Sequence, residues 1–310
     1  MPVTTRNPLT VGDCEGANRL DQVNRAAVLG APISHSLSPA LHNAAYRAAG
    51  LDDWEYTSFE VQAPQLAGFL SEHSKFRGFS LTMPLKEECL RVADSVTALA
   101  ARAGAGNTLS KTDDGWLADN TDIGGFVDAL VAAGIGLVAC ESASPSPAPE
   151  PGPQNTNPPN THPTSAAILG AGGTARAAVL ALLELGVGEM TIYTRSRNKG
   201  EAFADWAASV GANAKAGDLA VWNRSDEPLV ISTLPPGVEL AVDMGKRGLV
   251  FDVVYAGWPT ALGAAAQNAG IKVLSGLDLL VRQAARQFQI FTGVAADVEA
   301  MYKAGREGMR

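Results

Sequence analysis

The stretch "AAILGAGGTARAAVLALLELG", residues 166–186, constrains the fold more than any other part of the chain. An apolar run leads into Gly170-Ala171-Gly172-Gly173-Thr174-Ala175, and a segment with helical apolar spacing follows. This order predicts a buried strand, a tight turn and a helix. Gly170 permits the turn, Gly172 lets the backbone approach a pyrophosphate, and Ala175 lets the helix pack closely on the strand. The helix N-terminus, with Gly173 and Thr174 in its first turn, offers unpaired N–H groups to phosphates. A second strand, "MTIYTR", follows at the spacing of a βαβ unit. The stretch is therefore read as a dinucleotide site in a Rossmann-type, doubly wound sheet rather than as a structural turn.

The residues after that second strand distinguish two cofactors. A site for NAD wants an acid there for the ribose 2′-hydroxyl, whereas NADP wants cations for a 2′-phosphate. This chain reads Thr194-Arg195-Ser196-Arg197-Asn198-Lys199, with no acid between Thr191 and Lys199. Arg195 can fork onto a phosphate, Thr194 and Ser196 can donate hydroxyls, and Lys199 adds charge. Solvated charges at a helix start would oppose the helix dipole, which weakens the purely structural explanation. NADP is the expected cofactor.

Further apolar runs, "PLVISTL", "GLVFDVVY" and "IKVLSG", continue the second sheet, and the C-terminal segments "LDLLVRQAARQFQIFTG" and "ADVEAMYKAGREG" read as helices. A first set of elements precedes it. "AAVLG", "WEYTSFEV" and "FRGFSLTMP" are strands, "SPALHNAAYRAAG" is a helix stopped by Gly50, and "PQLAGFLSEH" is helical. "LKEECLRVADSVTALAARA" reads as one more helix, and "AGNTLSKTDDGWLADN" as a hairpin turning at Asp114-Gly115. Strands alternating with helices predict a parallel α/β sheet here too. The expected fold class is α/β, in two domains.

Two segments lack any packing pattern. Residues 1–22 are expected to be a flexible extension, without the basic-then-apolar pattern of a signal peptide. Residues 139–165 hold eight of the 18 prolines and too little apolar surface to offset their ordering entropy, so an exposed Pro-rich insertion is expected. Its "PSPAPEPGP" spacing also suits polyproline recognition, although such segments are usually linkers.

Composition narrows the function. A chain of 310 residues with 46% hydrophobic and 18% charged residues can bury two cores. Its 24 basic and 32 acidic side chains, a net charge of −8, argue against nucleic acid or an anionic membrane as partner. Cys14, Cys89 and Cys140 are too scattered for a disulfide framework or a zinc site, and the four histidines have no ligand spacing, so no metal is expected. A cytoplasmic location follows.

Three polar constellations carry the remaining chemistry. "PISHSLSP" places Ser36 and Ser38 around a leucine after the first strand; alone, it reads as a common polar turn. "SLTMPLKEE" ends a strand at Thr82 and predicts a helix entered near Pro84, with Lys86 in its first turn. A helix N-terminus disfavours that cation, and Glu87 and Glu88 offset the effect. A poised lysine suits proton transfer to a carbonyl, though a surface lysine is the ordinary case. Asn107, Asn120 and Asp122 stand at element ends, where each separately reads as cap or turn chemistry.

Taken in order, "HSLSPALHN", "LTMPLK", "GAGNTL", "DNTDIGGF", "LGAGGTARA", "YTRSRNK", "DVVYAGWPTAL" and "GLDLLVRQAARQF" resemble the shikimate dehydrogenases. The resemblance runs from about Ala26 to the C-terminal helices, broken by the Pro-rich insertion. It implies reversible, NADPH-dependent reduction of 3-dehydroshikimate to shikimate, on the route to chorismate and the aromatic amino acids. It implies that Ser36 and Ser38 bind the substrate carboxylate, and that Thr82, Asn107, Tyr255 and Gln283 hold the ring and its hydroxyls. Lys86 and Asp122 would be the catalytic pair, with Lys86 exchanging the proton and Asp122 orienting it and a substrate hydroxyl. Thr233, Val253, Gly276 and Leu279 would join the glycine loop and the basic clamp as cofactor contacts. The implied architecture returns the C-terminal helix to the first domain. Residues 23–121 and 277–310 would form the substrate domain and 122–276 the NADP domain, with the cleft between them holding both ligands, in a monomer or homodimer.

The chain departs from the family pattern at several positions. Thr194-Arg195-Ser196 replaces Asn-Arg-Thr, Lys199 replaces an arginine, and Ser80 replaces an asparagine that can contact substrate. Leu279 stands for a methionine against the nicotinamide, and Gly257 for a proline. Two rival readings fit less well. A quinate/shikimate enzyme tends to carry threonine at the second serine and an acid after the second nucleotide-domain strand, where this chain has Ser38 and cations. A non-catalytic sensor of NADP and a cyclohexene carboxylate need not keep both Lys86 and Asp122.

Overall fold

The computed structural model describes residues 23–136, 163–224, 226–245 and 247–309. The expected N-terminal extension, and all but the last three residues of the expected Pro-rich insertion, lie outside the described residues.

The first sheet is organised around β1 (Asn24–Gly30), whose Ala26–Gly30 run is buried on both faces. Such a run needs cover from two layers, which suits a central parallel strand. β2 (Trp54–Glu60) and β3 (Gly78–Leu81) flank it in parallel. The sheet continues through β5 (Thr108–Thr112) and β6 (Gly115–Asp119), ending at the two-residue β4 (Ser95–Val96), in the order β2-β1-β3-β5-β6-β4.

This sheet is mixed: β1, β2 and β3 pair in parallel as expected, and the expected hairpin adds antiparallel pairing. β5 runs antiparallel to both β3 and β6. The chain reverses over Asp113 and Asp114 alone, far too short a connection for a parallel crossover. The turn thus lies one residue earlier than expected, and Gly115, with φ of 123°, opens β6.

Helix α1 (Ser38–Ala48) has Pro39 in its first turn and is followed by Gly50 at φ 66°, as expected. A 3₁₀ turn leads into α2 (Leu66–Glu72). The long helix expected over 85–103 is instead two short ones, α3 (Cys89–Val92) and α4 (Ala98–Ala103). Sheet pairing wins over local helical pattern here. The Asp94 N–H donates to Trp116 O, and the Asp94 carboxylate accepts the Trp116 N–H at 2.7 Å, while Thr97 bonds to Ala118 and caps α4. Lys86 consequently sits in the turn before α3, not in a helix, and the dipole argument for it does not apply.

The second sheet is wholly parallel. β7 (Ser165–Leu169), β8 (Glu189–Thr194), β9 (Asn213–Asp218), β10 (Leu229–Ser232), β11 (Leu249–Asp252) and β12 (Lys272–Leu274) pair in the order β12-β11-β10-β7-β8-β9. The order reverses direction at β7, as in a doubly wound sheet, which has its ligand crevice at that point. The edge strand β9 escaped the sequence reading because "NAKAGD" is mostly exposed and has no apolar alternation.

Helices α6 (Gly173–Glu184), α7 (Arg197–Ser209) and α8 (Ala261–Asn268) cover this second sheet. Two others join the halves. α5 (Thr121–Ala132) contributes Ile123, Phe126 and Leu130 to the second sheet's core. α9 (Gly276–Thr292) returns Leu277, Val281, Ala284, Phe288 and Phe291 to the core of β1 and α1, against which α10 (Val298–Gly308) also packs through Met301. Their spacing of four, three, four and three is one helical stripe, and each fully buried Leu, Val or Phe contributes about 1.5–3 kcal/mol. α5 and α9 touch closely because Gly124 and Gly125 leave room. A Cβ on Gly125 would lie 3.0 Å from Gln283, and one on Gly124 would strike the Arg286 guanidinium. Arg286 in turn forks onto Asp128 at 2.7 and 2.9 Å.

Candidate active site

A cleft opens between the C-terminal ends of the central strands of the two sheets. Ser36, Ser38, Thr82, Lys86, Asn107, Asp122, Tyr255 and Gln283 all line it, as do Thr174, Val253, Gly276 and Leu279 from the second sheet's side. Residues separated by more than 200 positions in sequence thus share one wall.

Ser36 and Ser38 reach the cleft from the β1–α1 connection. The Ser36 N–H bonds to Ile33 O, closing the turn, and the Ser36 hydroxyl accepts the Ser38 N–H at 3.4 Å. Ser38 opens α1, whose first turn has no side-chain cap. Two hydroxyls at a helix N-terminus suit a carboxylate, although the Ser38 N–H is already used and Pro39 has none to offer. Thr82 follows β3 and approaches Gly30 so closely that a Cβ there would clash with its methyl group.

Lys86 and Asp122 form an ion pair within the cleft. Lys86 Nζ lies 2.6 Å from Asp122 Oδ2, with the lysine side chain 25% exposed and the aspartate 8%. Asp122 stands in the first turn of α5, where the dipole suits a carboxylate and Asn120 caps the helix by accepting the Ile123 N–H. The turn holding Lys86 is tied down by its carbonyl, which accepts the Gly106 N–H at 2.7 Å. A charged donor beside an ionised acceptor at this distance forms a strong, oriented pair.

Asn107 works behind this pair. Its Nδ2 donates to Asp122 Oδ1 at 2.8 Å and to Gln283 Oε1 at 3.3 Å, while its Oδ1 accepts from the Thr121 N–H and two hydroxyls. Its amide thus holds Asp122 and Gln283 in place while it lines the cleft. Gln283 donates to Leu280 O and keeps one amide proton. Burial pushes the Tyr255 phenol above its usual range, so it is a neutral donor.

Sequence reasoning missed Gln287 as a lining residue. It lies one helical turn beyond Gln283 on α9, and that spacing was the available signal. Its Nε2 donates to Asn107 O and Thr108 Oγ1, both at 3.0 Å. Its Oε1 accepts from Ser80 Oγ at 2.6 Å, and Ser80 accepts from Tyr56 Oη. His42 stacks on Tyr56 beneath this chain, with ring centroids 4.0 Å apart.

The cofactor side fits a dinucleotide. Gly170 has φ of 110°, and a Cβ there would meet Thr233 Oγ1 at 2.5 Å. Thr233 is held by its own bonds to Leu169 O. A Cβ on Gly172 would meet no protein atom within 4 Å, so the bare backbone faces open space where a pyrophosphate would lie. Gly172 caps α6 without a side-chain bond, leaving the first N–H groups of Gly173 and Thr174 available, with Ala171 beside them and Ala175 buried against the sheet. Gly276 sits where a Cβ would strike Val253 O, and its N–H bonds to Val254 O, which brings α9 and Leu279 against the β11 loop.

The residues expected to form the basic clamp lie at a separate concavity at the end of β8. Thr194 and Arg195 line it, together with Arg197, which the sequence reading left unassigned. Ser196 and Lys199 are exposed just outside, with Ser196 capping α7 by accepting the Lys199 N–H. The Thr194 hydroxyl donates to Ser196 O at 2.8 Å, so its proton is already used.

Among the described residues no helix is long and apolar enough to cross a membrane. Two family models match the chain: the shikimate dehydrogenase substrate binding domain over residues 28–109, and the shikimate 5′-dehydrogenase C-terminal domain over 276–304. The shikimate dehydrogenase (NADP(+)) of Moorella thermoacetica is 35% identical, with 91% of this chain and 92% of that protein aligned. The crystal structure of Mycobacterium tuberculosis shikimate dehydrogenase is 37% identical, has a TM-score of 0.75 and covers 92% of this chain and 99% of its own. That of the Thermus thermophilus enzyme, in complex with NADP(H) and shikimate, is 30% identical, with the same TM-score and coverage. With these likenesses running over nine-tenths of its length, the chain belongs to the shikimate dehydrogenase family.

Proposed function

We propose that the chain is an NADP-dependent shikimate dehydrogenase that interconverts 3-dehydroshikimate and shikimate, supplying the route to chorismate and the aromatic amino acids. One observation carries the reading: the Lys86–Asp122 pair, at 2.6 Å, stands in a cleft bounded by the Ser36–Ser38 turn on one side and the glycine-loop helix on the other. The shikimate dehydrogenase (NADP(+)) relatives and the NADP(H) and shikimate held by the Thermus structure support it.

In this reading the substrate carboxylate meets Ser36, Ser38 and the N-terminus of α1. Thr82, Asn107, Tyr255 and Gln283 hold the ring and its hydroxyls, and Asn107 also keeps Asp122 and Gln283 in place. Bound NADPH supplies a hydride for the carbonyl carbon. Lys86 gives its proton to the carbonyl oxygen as charge develops there, so hydride and proton together convert ketone to alcohol; the neutral amine then regains a proton from solvent. In reverse, the neutral amine takes the hydroxyl proton. Asp122 fixes Nζ and accepts from a neighbouring substrate hydroxyl. Thr233, Val253, Gly276 and Leu279 surround the nicotinamide end, and Arg195 with Ser196 and Lys199 faces the 2′-phosphate.

The proposed division of the chain is 23–121 with 277–310 as substrate domain and 122–276 as NADP domain. The core allegiances of α5 and α9 support it. The cleft is complete within one chain, which suits a monomer or homodimer, and we place the enzyme in the cytoplasm. Addition of 3-dehydroshikimate to enzyme and NADPH should consume the two in equal amounts. No consumption in either direction would remove the catalytic reading and leave a binding protein.

A further inference from the structure

The clamp concavity carries both signs of charge. Arg195 and Arg197 line it, but so do Glu201 and Asp218. The two acids differ. Glu201 accepts from Arg197 Nε at 2.7 Å, one helical turn along α7, so that pair is self-neutralising. Asp218 ends β9 and is registered directly opposite Thr194, the residue before Arg195. Neighbouring strands lie about 4.8 Å apart, so its carboxylate stands beside the clamp although it is 23 positions further along the chain. Among the described residues neither Arg195 nor Asp218 belongs to an ion pair. One Asp218 oxygen, Oδ1, accepts the Ala220 N–H at 2.9 Å and holds the following turn, which leaves Oδ2 for the concavity. Gly217 before it keeps the strand tight, because a Cβ there would lie 2.6 Å from the Tyr193 ring.

We propose that Asp218 is a specificity-determining residue of the adenosine end of the cofactor site, repelling a 2′-phosphate and accepting from a 2′-hydroxyl. The inference rests on the NADP reading above. Arg195 draws the phosphate in by charge-assisted bonds, and Asp218 opposes it by like charge. A ribose hydroxyl meets the opposite treatment: Arg195 offers it little, and a carboxylate is the natural acceptor. The chain therefore discriminates between NADP and NAD less sharply than its cations alone would make it, and the acid that does this comes from the neighbouring edge strand rather than from the end of β8.

The test is direct calorimetric titration of the cofactor-free protein with 2′,5′-ADP and with 5′-AMP, which share the adenosine and differ in the 2′-phosphate. Asp218→Asn removes the charge and keeps an oxygen for the Ala220 N–H. It should tighten 2′,5′-ADP about three- to tenfold, the size of one like-charge contact a few ångströms away in a water-filled pocket, while AMP binding stays level or weakens. The gain should shrink as salt is raised. Asp218→Ser, which also retains an acceptor, should move the ratio of the two affinities the same way. If wild type prefers 2′,5′-ADP and neither variant changes that ratio, the role of Asp218 is overturned and the NADP reading stands. If wild type binds the two alike, the NADP reading falls and the inference with it.

Discussion

Lys86→Met is the most informative single change, because it keeps the length and apolar stem of the side chain and deletes only the ammonium. In the native structure Nζ bonds to Asp122 Oδ2 at 2.6 Å, while Asn107 holds Oδ1 at 2.8 Å. The variant leaves a largely buried carboxylate with one donor fewer, which costs about 1.5–3 kcal/mol for a lost charged hydrogen bond. The first turn of α5 favours the carboxylate equally in wild type and variant, so it leaves the difference unchanged, and a loss of about 1.5–3 kcal/mol is expected. A domain with about 5–15 kcal/mol of stability remains folded after such a loss. Removal of a general acid, by contrast, lowers turnover about 10²–10⁴-fold, equivalent to about 2.7–5.4 kcal/mol of barrier. The assay is kcat for shikimate oxidation, with NADP affinity by titration and stability by urea unfolding of the same preparations. The expectation is a kcat loss of at least about a hundredfold, NADP affinity within about twofold and a modest fall in the unfolding midpoint. Turnover within about threefold of wild type, or a loss mirrored in NADP affinity, would refute the assignment of Lys86 as proton donor.

Arg195→Ala should weaken NADPH about tenfold or more while hardly affecting NADH, since only the former offers a phosphate to the guanidinium; equal losses in KM would contradict the clamp. Gly170→Ala forces a side chain into a backbone with φ of 110° and against Thr233 Oγ1 at 2.5 Å. It should cost about 1–3 kcal/mol of stability and impair NADP binding, and an unchanged melting temperature would remove the strain argument. His42 is fully buried, and burial lowers its pKa from 6.5 to about 3, partly offset by Gln287. Between those values the unfolded chain takes a proton that the folded one refuses, so stability falls with falling pH by up to about 1.4 kcal/mol per pH unit. His42→Phe should flatten that slope as pH falls from 6.5 towards 3 in urea titrations, and equal slopes would show that His42 is not the source.

What could be read from the sequence follows from how local each signal is. β7, the Gly170–Ala175 turn and α6 were legible because one contiguous stretch carries the strand, the glycines and the helical stripe. The α9 stripe was legible for the same reason, although its destination in the first domain came only from the family resemblance, since nothing local says which sheet a helix will cover. Lys86 and Asp122 lie 36 positions apart, and only β3 and the β5–β6 hairpin bring them together; singly, each reads as an ordinary surface or cap residue. The resemblance in motif order supplied that pairing, not periodicity. The long helix expected after Pro84 failed because Asp94–Thr97 pair with β6, a contact invisible to local propensity. Asp218 was missed through the same kind of error, because an exposed edge strand without apolar alternation gives no sign that its last residue will share a concavity with Arg195.

The proposed reaction needs one cleft to join a carboxylate-binding serine turn, a proton-transferring lysine and an NADP-binding glycine loop around a single substrate. Initial rates of oxidation of shikimate and of quinate, each with NADP and with NAD at one enzyme concentration, test it most directly. Activity should be concentrated in the shikimate–NADP combination, with a weaker shikimate–NAD rate. Comparable rates with quinate, or NAD equal to NADP, would contradict the substrate and cofactor assignments made through Ser38 and Arg195.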